Sequence, residues 1–138
     1  MGGFALLEHT ADTGISAYGD TLEEALSWLA TGMFSLIVDP ATVHPSFSRT
    51  IFLVSRDREA LAVDWLNELL YQYEVTGFLL KECHVTLDQG GTQLEAHCHG
   101  EEADLKRHHI LTVIKAATYH RILVSREEEW NVSIYLDV

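Results

Sequence analysis

Residues 57–99 read DREALAVDWLNELLYQYEVTGFLLKECHVTLDQGGTQLEAHCH, and a change of period at Gly77 within this stretch decides the fold. Before Gly77, Leu61, Trp65, Leu66, Leu69, Leu70 and Tyr73 recur at helical spacing and form a broad apolar face. Asp57 can cap the start of that helix, and Gly77 suits the residue that follows its end. After Gly77 the period becomes two. Cys83, Val85 and Leu87 alternate with His84, Thr86 and Asp88, then Leu94, Ala96 and Cys98 with Glu95, His97 and His99. The DQGGT between them is a hairpin turn. An even-length loop keeps both apolar sets on one face, which places His84 opposite Glu95 and diagonal to His97. Such a group has zinc-ligand chemistry, although the outer face of a half-buried sheet is polar in any case.

Moving outward toward the N-terminus, TLEE at residues 21–24 predicts a capping box, with Thr21 as N-cap and Glu24 three residues on. The apolar positions Leu22, Ala25, Leu26, Leu29, Met33 and Leu36 extend this helix over about Thr21 to Leu36. VDPATVHPSFS, residues 38–48, carries both prolines and reads as a connecting loop, and TIFLVS, residues 50–55, as a strand. The last third predicts strands over about Val113 to Ser125 and Trp130 to Val138, joined through the charged turn REEE at 126–129. Two helices and about six strands, mostly adjacent in sequence, predict a two-layer α+β domain over residues 1–138. Its two main helices lie on one face of a largely antiparallel sheet. The pattern leaves the strand order open.

A length of 138 residues suits one domain with a self-sufficient core. Nine basic against 21 acidic residues give a net charge of -12, which disfavours direct binding to RNA or DNA because Lys and Arg supply most of that affinity. With no run of 18 apolar residues and no signal-peptide pattern, the chain is expected to be soluble and cytoplasmic, without membrane contact. Cys83 and Cys98 read as reduced core thiols.

The chemistry-bearing motifs of nucleotide, hydrolase and zinc sites are missing: there is no P-loop, no G-x-S-x-G, no H-E-x-x-H and no C-x-x-C. What remains is a set of polar residues at strand ends: His9 and Asp12 in EHTADTG at residues 8–14, Lys115 and His120 late in the chain, and Asp137 before Val138. An aspartate beside a terminal carboxylate repels it unless a cation lies between them. The alternative is a solvated, frayed strand end.

Four segments, EHTADTGISAYGDTLEEAL (8–26), AVDWLNELLYQYE (62–74), IKAATYH (114–120) and YLDV (135–138), resemble, in order and over nearly the whole chain, the signature segments of the archease family. The resemblance implies a small non-catalytic accessory protein that activates an RtcB-type RNA ligase, the GTP- and metal-dependent enzyme of tRNA splicing and RNA repair. It implies faster guanylylation of the ligase and repeated turnover. It also implies a divalent cation, calcium with magnesium or manganese as alternatives, held by Asp12, Asp137 and Val138. Hard cations take several oxygen ligands, so these segments must then meet at one end of the fold. A functional lysine is implied as well, with Lys115 the candidate and Lys106 the alternative; Leu111, Thr112 and Val113 stand where the family pattern has Gly-Thr-Glu. The acidic balance suits docking beside the basic groove of such a ligase. Two other classes are compatible with the residues. One is a metal-dependent hydrolase or transferase with Asp12 and Asp137 on the ion and His9 or His120 as base. The other is a chaperone-like protein-binding module, which needs an exposed apolar patch.

Overall fold

The computed structural model describes residues 1–8 and 13–138. Its helices begin where a local side chain accepts a free backbone N–H and end where a backbone N–H closes the last turn. Helix α1 spans Leu22–Ile37, and the Thr21 side chain accepts the Glu24 N–H at 3.1 Å. Only this half of the capping box forms. The carboxylate of Glu24 is tucked where a Cβ on Gly2 would collide with it, and its Oε1 is buried without a hydrogen-bond partner. Helix α2 spans Arg58–Thr76, with the Ala60 N–H donating to Asp57 Oδ1 at 2.7 Å. It stops at Gly77, whose φ of 77° is the left-handed conformation that a side chain would strain, and whose N–H donates to Tyr73 O at 2.8 Å.

The described strands are β1 Gly3–Glu8, β2 Thr13–Gly19, β3 Phe47–Val54, β4 Phe78–Leu87, β5 Gln93–Glu102, β6 Ala116–Arg126 and β7 Trp130–Asp137. All pairings are antiparallel, and the α+β class expected from the sequence is the observed one. The strands divide into two sheets, ordered β1-β2-β7-β6 and β3-β5-β4. Helix α1 packs on β1, β2 and β7 of the first and on β4 of the second, while α2 packs mainly on β6 and reaches all three strands of the second. One continuous core results, since Ile15, Ile134 and Leu136 of one sheet and Val85, Leu94 and Ala96 of the other are buried in the same cluster. Trp65 fixes the two helices to each other. It is fully buried, and its indole N–H donates to Leu26 O at 2.9 Å, so a large apolar side chain is buried with its polar atom satisfied.

The hairpin β4–β5 keeps the expected face but not the expected register. His84 lies opposite His97, and Glu95 opposite Thr86, two residues from the pairing read in the sequence. The cause is Asp88, whose Oδ1 accepts the backbone N–H groups of both Thr92 and Gln93 at 2.9 Å and so holds the loop over residues 88–92 open. Parity is preserved because the displacement is even. His97 Nε2 lies 3.8 Å from Glu95 Oε2, yet no group of three or more His, Cys, Asp or Glu able to hold a metal occurs among the described residues. Cys83 faces Cys98 across the ladder, both are free, and burial pushes each thiol up to about 12, which keeps it protonated. No helix among the described residues is long and apolar enough to cross a membrane.

Candidate functional site

The two ends of the sequence meet in the first sheet. Antiparallel pairing places Thr13 opposite Leu136 and Gly14 opposite Tyr135, while on the other side of β7 Ala116 pairs with Asp137, Ala117 with Leu136 and Thr118 with Tyr135. The start of β2, the end of β7 and the start of β6 therefore share one end of the sheet, the edge formed by these strand ends. At that edge the Lys115 N–H donates to Asp137 O at 2.7 Å. Lys115, Asp137 and Val138 are all exposed residues.

Immediately behind these residues lies an aromatic layer. The ring of Tyr135, 6 % exposed, crosses the β2 backbone at Gly14, where an added Cβ would lie 2.8 Å from Tyr135 Cε1. Gly14 is thus required by close approach of the ring. His120 packs edge-on against Tyr135, with centroids 5.8 Å apart, and its backbone N–H donates to Thr118 Oγ1 at 3.3 Å. It reaches this position because the β6–β7 ladder breaks between Thr118 and Leu123, in a stretch where Arg121 adopts a φ of 53°.

Of the residues singled out in the sequence, Lys115, Asp137 and Val138 are brought together, with His120 one layer behind. His9 and Asp12 lie outside the described residues. Lys106 is elsewhere, in the turn after β5, where its N–H donates to Asp104 Oδ1 at 3.0 Å. The described contacts bring Lys115, and not Lys106, to Asp137. Among the described residues Asp137 has no ion-pair partner within 4 Å. A carboxylate and a neighbouring backbone oxygen are hard donors that fit a hard divalent cation in kind, although the described residues alone do not complete a set of three side-chain ligands.

Two supports of this edge had no signal in the sequence pattern. Asn67, inside α2, hydrogen-bonds the backbone of Ala117. A buried polar lock holds the segment between β5 and β6. His108, 3 % exposed, accepts the Asp104 N–H on Nδ1 at 2.9 Å, which leaves the ring proton on Nε2, 3.0 Å from both Thr42 O and Glu101 Oε1. Glu101 also accepts from Arg107 at 2.6 Å and from the His44 N–H at 2.9 Å. The Arg107 hydrogen bond, with those from His44 and His108, pulls the Glu101 carboxyl down to about 2. A separate cleft of about 530 Å³ between α1 and β4, lined by residues that include Glu23, Glu24, Trp28, Glu82 and His84, does not include the converging strand ends.

Residues 4–138 match the model of the archease protein family. The chain is 37% identical over 139 residues to the protein archease of Methanosarcina barkeri, covering 98% of this chain and 95% of that one. It is 39% identical over 136 residues to the protein archease of Saccharolobus islandicus, covering 99% and 98%. Among solved structures, the solution structure of Methanobacterium thermoautotrophicum protein 1598 superposes with a TM-score of 0.84 at 32% identity, covering 99% of each chain. A crystal structure from Thermotoga maritima, described as an archease and possible chaperone, shares the fold with a TM-score of 0.64 at 18% identity, covering 96% of this chain and 94% of that one. With a family match over nearly its whole length and relatives at this identity, the chain belongs to the archease family.

Proposed function

We propose that this chain is a non-catalytic accessory protein that activates an RtcB-type RNA ligase of tRNA splicing and RNA repair, promoting guanylylation of the ligase and its multiple turnover in the cytoplasm. The observation that supports this reading is the convergence at one sheet edge of Lys115, Asp137 and Val138 with the start of β2, the strand that directly follows Asp12 in the sequence. Asp12, Asp137 and Val138 would hold a divalent cation, calcium with magnesium or manganese as alternatives, which when bound offsets the repulsion of clustered carboxylates. Lys115, tied to Asp137 through its backbone N–H, contributes an exposed side chain with a cationic ammonium. In a protein of net charge -12 it is one of only nine cationic side chains, and it can meet an anionic group of the partner. The remaining acidic surface steers the chain toward the basic substrate groove of an RNA ligase, and repels the RNA itself.

Multiple-turnover ligation by an RtcB-type ligase, measured with and without the purified chain, tests this reading. The expected result is stimulation that needs both proteins, with no ligation or hydrolysis by the chain alone. Ligase turnover unchanged by the chain contradicts the proposal, and product formed by the chain alone favours a metal-dependent hydrolase or transferase.

A further inference from the structure

Asn67 occupies a position that helix chemistry does not favour. Asparagine is less favourable than alanine in a helix interior, because its short amide competes for backbone partners. In α2 this amide is turned on another strand: Ala117 N–H donates to Asn67 Oδ1 at 2.8 Å, and Asn67 Nδ2 donates to Ala117 O at 3.2 Å. Both backbone groups of one residue are satisfied by one side chain 50 positions away. Among the described residues β6 is an outer strand of its sheet, paired with β7 and with no ladder on its far side. Asn67 supplies there, at a single residue, what a neighbouring strand would supply. The pairing also fixes the amide's orientation, since the N–H needs the oxygen and the C=O needs the nitrogen.

The place of this clasp in the ladder gives it a consequence for the site. Ala116, Ala117 and Thr118 pair in register with β7, after which the register shifts and resumes only at Leu123. Three residues are thus held on the site side of an irregular stretch, and the clasp grips the middle one. Lys115, immediately before them, contacts Asp137 through its backbone N–H. Without the clasp, the short paired segment has an open edge on one side and a broken ladder behind it.

We propose that Asn67 is a positioning residue that holds the start of β6 so that Lys115 and Asp137 keep one mutual geometry. The consequence for activation rests on the function proposed above; the geometric claim does not. The test compares Asn67→Leu, which removes both hydrogen bonds at similar volume, and Asn67→Asp, which keeps the acceptor for the Ala117 N–H but faces a carboxylate to the Ala117 carbonyl. Amide hydrogen exchange by NMR is read at Lys115 and Ala117, with Ala96 in the other sheet as reference. Calcium binding by calorimetry and ligase stimulation are measured on the same samples. In Asn67→Leu, exchange at Ala117 and Lys115 is expected to rise about tenfold with Ala96 unchanged, and calcium affinity and stimulation to fall together. Asn67→Asp is expected to keep part of the protection at Ala117. If exchange at Lys115 matches the parent in both variants, or rises equally at Ala96, positioning is overturned and Asn67 is a stability residue or a neutral one. An Asp137→Ala control separates the two claims: stimulation that survives it contradicts the functional reading, while the exchange data still decide the geometric one.

Discussion

Replacing Gly14 by alanine probes the layer on which the candidate site rests. The added Cβ would lie 2.8 and 2.9 Å from Cε1 and Cδ1 of Tyr135 and 3.2 Å from Leu7 Cβ, where ordinary contact begins at 3.4 Å. Gly14 is not among the residues with positive φ, so backbone strain plays no part and the contacts set the cost, the ring's being closer than that of Leu7. Tyr135 is 6 % exposed and has His120 against its edge, so the ring cannot yield by several tenths of an ångström without moving its neighbours. Overpacking of this kind costs about 1–3 kcal/mol. Alanine restricts the unfolded chain and recovers about 0.4–1 kcal/mol. A net loss of about 1–2 kcal/mol is expected, corresponding to roughly 3–7 °C in Tm for a chain of this size. The assay is chemical and thermal denaturation of Gly14→Ala, Tyr135→Leu and the double variant. If the ring contact is the cause, the smaller leucine relieves it, and the double variant is more stable than the sum of the single losses by about 1 kcal/mol. A Gly14→Ala variant as stable as the parent, or strictly additive losses, refutes the reasoning.

Two further outcomes follow from charge. Glu101 has its folded-state carboxyl pulled down to about 2 from an ordinary 4.5, so its contribution to stability is fully present above about pH 4.5 and is lost as pH falls toward 2. Glu101→Gln should flatten the fall in denaturation midpoint across that window and lower stability at neutral pH; an unchanged acid profile contradicts the lock. The isolated chain, at net charge -12, should show no RNA binding by fluorescence anisotropy at physiological salt, and sub-micromolar, salt-sensitive binding would return the account to direct action on RNA.

Legibility in the sequence followed the range of the interaction. The caps at Thr21, Asp57 and Gly77 act within a few residues, so both helices could be read directly. The faces of β4 and β5 followed from alternation, but their register did not, because it depends on where the Asp88 carboxylate finds its backbone donors. Division into two sheets was hidden for the same reason at longer range: the pairing of β2 with β7 joins segments at opposite ends of the sequence, and no local pattern encodes it. At the candidate site, residue type and position at strand ends singled out Lys115 and Asp137, Val138 entered only through the family resemblance, and the backbone contact that sets Lys115 against Asp137 lay beyond any local pattern. Asn67 gave no sign of itself, since a polar residue beside the apolar stripe of α2 looks like any solvated position until its amide is found on Ala117.

In the proposed function, the exposed edge carrying Lys115 and Asp137 is what acts on the ligase. The most direct measurement is the rate of guanylylation of an RtcB-type ligase under multiple turnover, with the parent chain, Asp137→Ala and Lys115→Ala compared at equal concentration. Circular dichroism on the same samples reports the fold, which both exposed positions should leave intact. The expected result is stimulation by the parent and its loss, by at least about tenfold, in both variants. Variants that are folded and stimulate as the parent does would contradict the claim that this edge is the functional site.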